Sequence, residues 1–468
     1  MKTSLKNEFQ ELVSSLSLEE DVRRRLLAVD YTDDHRWAVI TAFQDVLCEI
    51  DAARHQLQKF KCRFDQSEAE RIVYSGKSVP PAWVPYVTDL SLKGILFGDA
   101  RSLANLTNLM NLNVAYSSLS DLFPLARLSN LRSLVLSGTR VADLSPLASL
   151  INLEEISLSG TAVTSLKPLS SVRNLKSIDL SGTRVTDLTP ISVDLESLNI
   201  NQVGIHDPGL IARFRKLRRL AMSHAHVVDF EPLNQLAALQ YLDASYSEIT
   251  DLHPVSQLAS LEYLDLSETQ IHNIRPLSFL RNLRCLRLCN TRGQDLTPLA
   301  GLNKLQVLNV AGASVDDIRS LRGLTGLKQL NIKMTGISDL APLAGLLELE
   351  SLSIWGEGVD DIRPLSGLTN LQTLELIGTS ISDISPLAQL RNLRSVILTG
   401  SPIRDASPLT ALPKLEELDL RCTRVNDIRP LKALNLRRLD VRGAGVHLST
   451  MNSSIGNMVR QAVGNRRR

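Results

Sequence analysis

The chain has 468 residues and a net charge of +2, and 43 % of its residues are hydrophobic while only 4 % are aromatic, so its interior must be filled by Leu, Ile, Val and Ala rather than by rings. A balance this close to neutral gives no footprint for nucleic acid or a membrane surface, no run of about 18 apolar residues offers a membrane span, and the charged, polar stretch Met1 to Leu16 lacks the apolar core of a secretory signal. Five scattered cysteines (Cys48, Cys62, Cys285, Cys289 and Cys422) argue against a disulfide framework and for a reducing, cytoplasmic setting.

Residues 1–80 read as α-helical. Leu5, Phe9, Leu12, Val13 and Leu16 recur at helical spacing. Ser17 with Glu20 forms a capping box ahead of Val22, Leu26 and Leu27. A longer helix is predicted from about Asp33 to Phe60, and Ser67 with Glu70 is expected to cap a short fourth. The run Val79-Pro80-Pro81-Ala82-Trp83-Val84-Pro85 then ends helix formation. This helical region is expected to cap the open end of the repeats that begin at Val87, as terminal units of stacked repeats must; a separate docking module is the alternative.

From Val87 the chain falls into rows of 22 residues. One reads LRSLVLSGTRVADLSPLASLIN from Leu131, another LEEISLSGTAVTSLKPLSSVRN from Leu153, another LQTLELIGTSISDISPLAQLRN from Leu371. Sixteen rows run to Asn435 and a partial one begins at Leu436. One row loses two residues between Ile191 and Leu195, and another loses a single residue before Leu436. The period sets a repeat architecture over residues 87–448. The L-x-L segment alternates with period two, which predicts a short strand with one buried face, stacked in parallel on the next row. Seven apolar positions per row (Leu131, Leu134, Leu136, Val141, Leu144, Leu147 and Leu150 in one) are expected to point inward. The ninth position is often Thr, whose hydroxyls, stacked coil upon coil, would satisfy backbone groups leaving the sheet. The thirteenth is Asp in fourteen of sixteen rows, with Ser165 and Asn273 the exceptions. Asp there can accept from the backbone two residues on and turn the chain. Pro three residues later starts a short helical turn, so the convex side should carry tight turns rather than full α-helices. Residues 449–468 are polar and then basic and are expected to form a C-terminal cap and solvated tail.

The half-repeat D-I/L-x-P-L-x-x-L and the 22-residue period resemble the leucine-rich repeats of the internalin family of bacterial surface proteins, over residues 87 to about 448. The resemblance implies an α/β leucine-rich-repeat solenoid: a curved parallel β-sheet, short 3-10 or helical turns on the convex side, and a concave face that binds a protein partner. Two departures stand out. The family's ninth-position Asn is mostly Thr here, and the secretion signal and wall or immunoglobulin-like modules that accompany internalins are absent, so the adhesin role does not carry over.

No phosphate loop, H-E-x-x-H or G-x-S-x-G motif occurs. Cys285 and Cys289 lie four residues apart on one strand, about 13 Å, too far for a disulfide or a shared zinc. One Asp per coil lacks the six to eight oxygens that calcium wants. No cofactor or small-molecule substrate is therefore expected. Positions 3, 5, 7 and 8 of each row should line the inner face. Early rows place small residues there. Later rows place Arg219, His224, Tyr241, Asp243, Tyr246, Tyr263, Asp265 and Arg287, and further on Lys333, Met334, Trp355 and Ile377. Tyr, Trp and Arg dominate interface energetics, which makes these the candidate partner-binding residues; rings that merely cover one another across strands are the alternative. The expected function is a non-catalytic scaffold for a protein partner. Two other readings stay open: a bacterial effector delivered to host cells without a classical signal, and a ubiquitin-ligase-type enzyme whose catalytic group, Cys62, would lie in the short N-terminal helical region.

Overall fold

The computed structural model of the protein describes residues 65–94, 100–205, 207–227, 229–293 and 295–446. The predicted helices of residues 1–64, with Cys48, Cys62 and the Ser17 capping box, lie outside the described residues, as does the C-terminal cap and tail. The chain divides into two compact units, Met1–Asp179 with Thr189–Ser192, and Leu180–Leu188 with Val193–Arg468. The division falls within the row that is two residues short.

In the first unit, helix α1 (Gln66–Tyr74) precedes five parallel strands, β1 (Asp89–Ser91), β2 (Asn111–Asn113), β3 (Ser133–Val135), β4 (Glu155–Ser157) and β5 (Ser177–Asp179). The cap of α1 is Asp65, whose carboxylate accepts the Glu68 N–H at 3.1 Å, rather than the expected Ser67. Ser67 instead sits inside the first turn, where its own N–H needs the partner. Ala69, Ile72 and Val73 of α1 are buried, as is Trp83, and Gln66 Nε2 donates to the Asp89 carbonyl of β1 at 2.6 Å. The helix thus lies against the first row.

The second unit holds twelve parallel strands. They are β6 (Ser197–Asn199), β7 (Arg219–Ala221), β8 (Tyr241–Asp243), β9 (Tyr263–Asp265), β10 (Cys285–Arg287), β11 (Val307–Asn309), β12 (Gln329–Lys333), β13 (Ser351–Trp355), β14 (Thr373–Ile377), β15 (Ser395–Ile397), β16 (Glu417–Asp419) and β17 (Arg438–Asp440). Each pairs with the next in register, so that Leu220, Leu242 and Leu264 stack in one line of the ladder. Between strands the chain returns through short 3-10 turns, with Pro at the first or second position of all but Arg319–Gly323 among the described residues of this unit, and one four-residue α-turn, Gly209–Ala212. Full helices on that side are absent among the described residues of the repeats, as the row length requires.

The row pattern accounts for the core. All seven apolar positions of the row at Leu131 are at most 1 % exposed. Burying each contributes roughly 1.5–3 kcal/mol, and a row gains this only between neighbours. The polar positions satisfy the turns. Asp143, Asp317, Asp361, Asp405 and Asp427 each accept the N–H two residues on at 2.8 to 2.9 Å, Asn273 does the same at 3.0 Å, and Ser165 substitutes with its hydroxyl at 3.3 Å. The ninth-position threonines act differently from expectation. Thr139, Thr161, Thr183 and Thr269 each donate at 2.6 Å to the carbonyl three residues earlier in their own row, not to a neighbouring coil. In the rows of Thr139, Thr161 and Thr183 the same carbonyl also accepts the threonine N–H, at 3.0 to 3.1 Å, so hydroxyl and amide close the turn together. The hydroxyl pair Thr379–Ser401, 2.7 Å apart, does join two coils. The final Asn of the row supplies a recurrent side-chain tie between coils: Asn130, Asn152, Asn282 and Asn392 donate to a carbonyl of the preceding row at 2.8 to 2.9 Å.

Candidate functional site

Strand residues alternate, so the side chains at positions 3, 5 and 7 of a row stand on the open face of the sheet while positions 4 and 6 enter the core. In the second unit this face changes character at β7. In-register pairing sets Arg219, Tyr241, Tyr263 and Cys285 side by side at position 3. The rings of Tyr241 and Tyr263 stack with centroids 4.2 Å apart and planes 9° apart. The Arg219 guanidinium covers the outer face of Tyr241 at 4.1 Å, and Arg287 lies 5.7 Å from the Tyr263 ring. Both ring faces are therefore occupied within the chain, and edges and hydroxyls are what remain for a visitor. Burial pushes both phenols above their ordinary pKa, and the carboxylates of Asp243 and Asp265 push the same way. Both stay neutral donors around pH 7. Burial likewise holds Cys285 and Cys289 as thiols.

Position 5 carries Asp243 and Asp265, in register on β8 and β9. Each accepts a backbone N–H two residues on, from Ser245 at 3.1 Å and from Ser267 at 3.0 Å. Asn199, Asn309 and Asn331 do the same in other rows, so part of what the two aspartates do is to end the strand. They differ in their second oxygen. Oδ2 of Asp265 lies 3.7 Å from Arg287 and 3.4 Å from the Tyr263 hydroxyl. Asp243 spends Oδ1 on Ser245, N–H and hydroxyl both, and no described residue donates to its Oδ2.

The turn after the strand supplies the far side of this face. Position 8 adopts left-handed φ, between 52° and 76°, in nearly every row. Gly138, Gly160 and Gly182 occupy it in three early rows and Gly312 later, the residue type for which that conformation is free. Gly138 has a second reason, because a Cβ there would come within 2.6 Å of the Tyr116 ring. Between Gly182 and Gly312 five successive rows instead place Gln202, His224, Tyr246, Glu268 and Asn290. Each costs on the order of 1 kcal/mol relative to glycine. His224 stacks on Tyr246 at 4.2 Å, and Glu268 accepts a hydrogen bond from Asn290. His224 and Tyr246 were expected on this face; Gln202, Glu268 and Asn290 were not. Side chains at a position where other rows keep glycine are the signal that marks them.

The second candidate group sits where strands lengthen to five residues. Lys333, Trp355 and Ile377 are in register at position 7 of β12, β13 and β14. The Lys333 ammonium pairs with Glu375, reaching across β13 over the small Ser353. Trp355 is 46 % exposed and Met334, at a left-handed position, 60 %. The two groups are separate, with the row of β11, which carries Val307, Asn309 and Ala311, between them. Among the described residues no cluster of three or more His, Cys, Asp or Glu is placed to hold a metal, and no helix is long and apolar enough to cross a membrane.

Comparison with known proteins places this geometry among repeat proteins. A family profile described as a leucine-rich repeat region matches residues 194–362, and one for two-copy leucine-rich repeats matches residues 129–171 and 151–193. No curated protein matches. Among solved structures, an internalin (inlF) from Listeria monocytogenes is 28 % identical with a TM-score of 0.54, covering 70 % of this chain and 93 % of its own. A leucine-rich-repeat protein from Leptospira interrogans, 22 % identical, gives a TM-score of 0.61 over 78 % of this chain and 93 % of its own. The mouse RP105/MD-1 complex gives 0.57 at 18 % identity, over 77 % of this chain and 76 % of that one.

Proposed function

Because the chain is a leucine-rich-repeat protein with internalin-like repeats, we propose that it is a non-catalytic scaffold that holds a protein partner on the open face of its sheet, chiefly over β7 to β10. One observation carries this reading: four adjacent strands set Arg219, Tyr241, Tyr263 and Arg287 into a single exposed-edge stack, and neither the core nor the turns need it. Strand formation is supplied by the leucine positions, which earlier rows meet with serine at position 3, as at Ser133 and Ser177. Rigid aromatic and guanidinium groups lose little freedom on binding and are the residues on which interface energy concentrates. Covering of ring by ring, the competing account, leaves the edges and hydroxyls of both tyrosines at the surface. The group at Met334, Trp355 and Ile377 is a second contact in the same reading, with Trp355 as its anchor. Residues 1–80 serve as the cap of the repeat array in this reading.

The test is affinity capture of partners with the intact chain, repeated with Tyr241→Ala combined with Tyr263→Ala. The double variant should fold and lose at least about 2 kcal/mol of binding. Wild-type affinity in that variant removes the proposal. Placement in the cytoplasm follows from the cysteine usage; the effector and ligase readings rest on delivery or on residues 1–64, and no described residue favours them.

A further inference from the structure

Resting on the docking reading above, the geometry points to the chemistry of what docks: we propose that the lane between the position-3 tyrosines and the position-8 ridge receives a linear segment of a protein partner whose arginine or lysine sits on Asp243. The lane has distinct walls and floor. Tyr241 and Tyr263 stand along one side, His224 and Tyr246 along the other, each pair stacked at 4.2 Å. Between them the floor is low, built from Ala221 and Ser223 and the hydrogen-bonded hydroxyls of Ser223 and Ser245, 3.0 Å apart. The first wall stands on the strand at position 3 and the second in the turn that follows it, at position 8.

Charge decides which chain. Asp243 and Asp265 lie on neighbouring strands in register, an arrangement in which like charges repel. The fold supplies one cation for the two, Arg287, which lies 3.7 Å from Asp265 and on the Tyr263 ring. It shows in this protein how a guanidinium is held by carboxylate and ring together. One row earlier the carboxylate and ring recur as Asp243 and Tyr241, but the in-register neighbour is Asp265 rather than a cation. Arg219 covers the other face of Tyr241. The lane therefore keeps one uncompensated carboxylate, flanked by rings, which a cation from outside completes. The ridge adds an independent argument. Left-handed side chains occupy five successive rows beside this lane and give way to glycine at Gly182 and at Gly312. Elsewhere among the described residues a side chain takes this conformation only singly, at Tyr116, Met334 and Cys422, so an unbroken run of five beside the lane marks a surface kept for contact rather than for folding.

Random linear peptides displayed on phage and selected on the full chain test this. The selected pool should be enriched in Arg and Lys over the starting library. Asp243→Asn should lower the affinity of selected peptides by about tenfold or more with an unchanged melting temperature. Asn already fills this position at Asn199, Asn309 and Asn331 and keeps the acceptor for the turn. His224→Gly combined with Tyr246→Gly should lower affinity while raising the melting temperature, a pair of opposite signs that a purely structural role does not produce. A neutral or acidic pool, an absence of binders, or equal affinity for Asp243→Asn overturns the inference. If such peptides still lose binding in the Tyr241→Ala, Tyr263→Ala variant, the docking reading survives it; if they bind that variant equally well, both fall.

Discussion

Asp427 shows how little of the repeat's polar chemistry is left to chance. It accepts a side-chain hydrogen bond and a backbone one from Arg429, and together these pull its pKa down to about 2. A depressed carboxylate contributes stability above its unfolded value of about 4 and loses it as pH falls through the folded value. The contribution of this turn should thus be complete at pH 5 and fade between about pH 4 and pH 2. Carboxyl titration by NMR should place Asp427 near 2 and move it toward the ordinary range in Arg429→Gln. A midpoint near 4 in the native chain would show that the pairing does not persist in solution. Asp317 and Asp361 carry the same Asp-x-Arg arrangement, and their carboxyls are lowered by Arg319 and Arg363 in the same way.

At the scale of the single row, two substitutions separate the contributions of core and turn. Leu264 is fully buried in the ladder of β9, so Leu264→Ala should cost about 2–5 kcal/mol, read by urea denaturation. Thr269 is 1 % exposed and its hydroxyl donates to the Leu266 carbonyl at 2.6 Å. Thr269→Val keeps the shape and removes that bond, and should cost about 1 kcal/mol; a cost near zero would mean that the carbonyl finds another donor. The row was legible in the sequence because each leucine recurs at a fixed offset, and because Asp has a local partner two residues on that needs no knowledge of the fold. The threonine hydroxyl was misassigned for the complementary reason: period alone does not say whether a group turns to its own coil or the next. Asn130 and Asn152, the ties between coils, had the period but no local partner to suggest their role. The rings of Tyr241 and Tyr263 could be placed on one face by counting, yet their stacking on Arg219 and Arg287 needed the register of four strands. Residues 1–64, read as helices from spacing, lie outside the described residues.

Across many rows the same geometry predicts tolerance to whole-row changes. Contacts run between neighbouring rows, so stability is close to a sum of row and interface contributions. Removing residues 371–392 should bring β13 next to β15 with every ladder position preserved. Gly400 would then take the place of Gly378 under the Trp355 indole, where a Cβ would come within 3.3 Å. That variant should keep its circular dichroism per residue and unfold cooperatively. Removing only residues 371–381 puts strand positions against turn positions and should give aggregation or loss of the transition. Equal behaviour of the two deletions would contradict a row-by-row ladder.

Trp83 is 1 % exposed and Trp355 46 %, so once the third tryptophan, Trp37, is replaced by Phe the protein carries an internal optical contrast. Acrylamide should quench the emission of Trp355 and leave that of Trp83 nearly dark to it. A partner that settles on the second contact group would announce itself, without any dye, as a blue shift and a loss of quencher access; one that occupies only the tyrosine strands would leave the indole signal where it was.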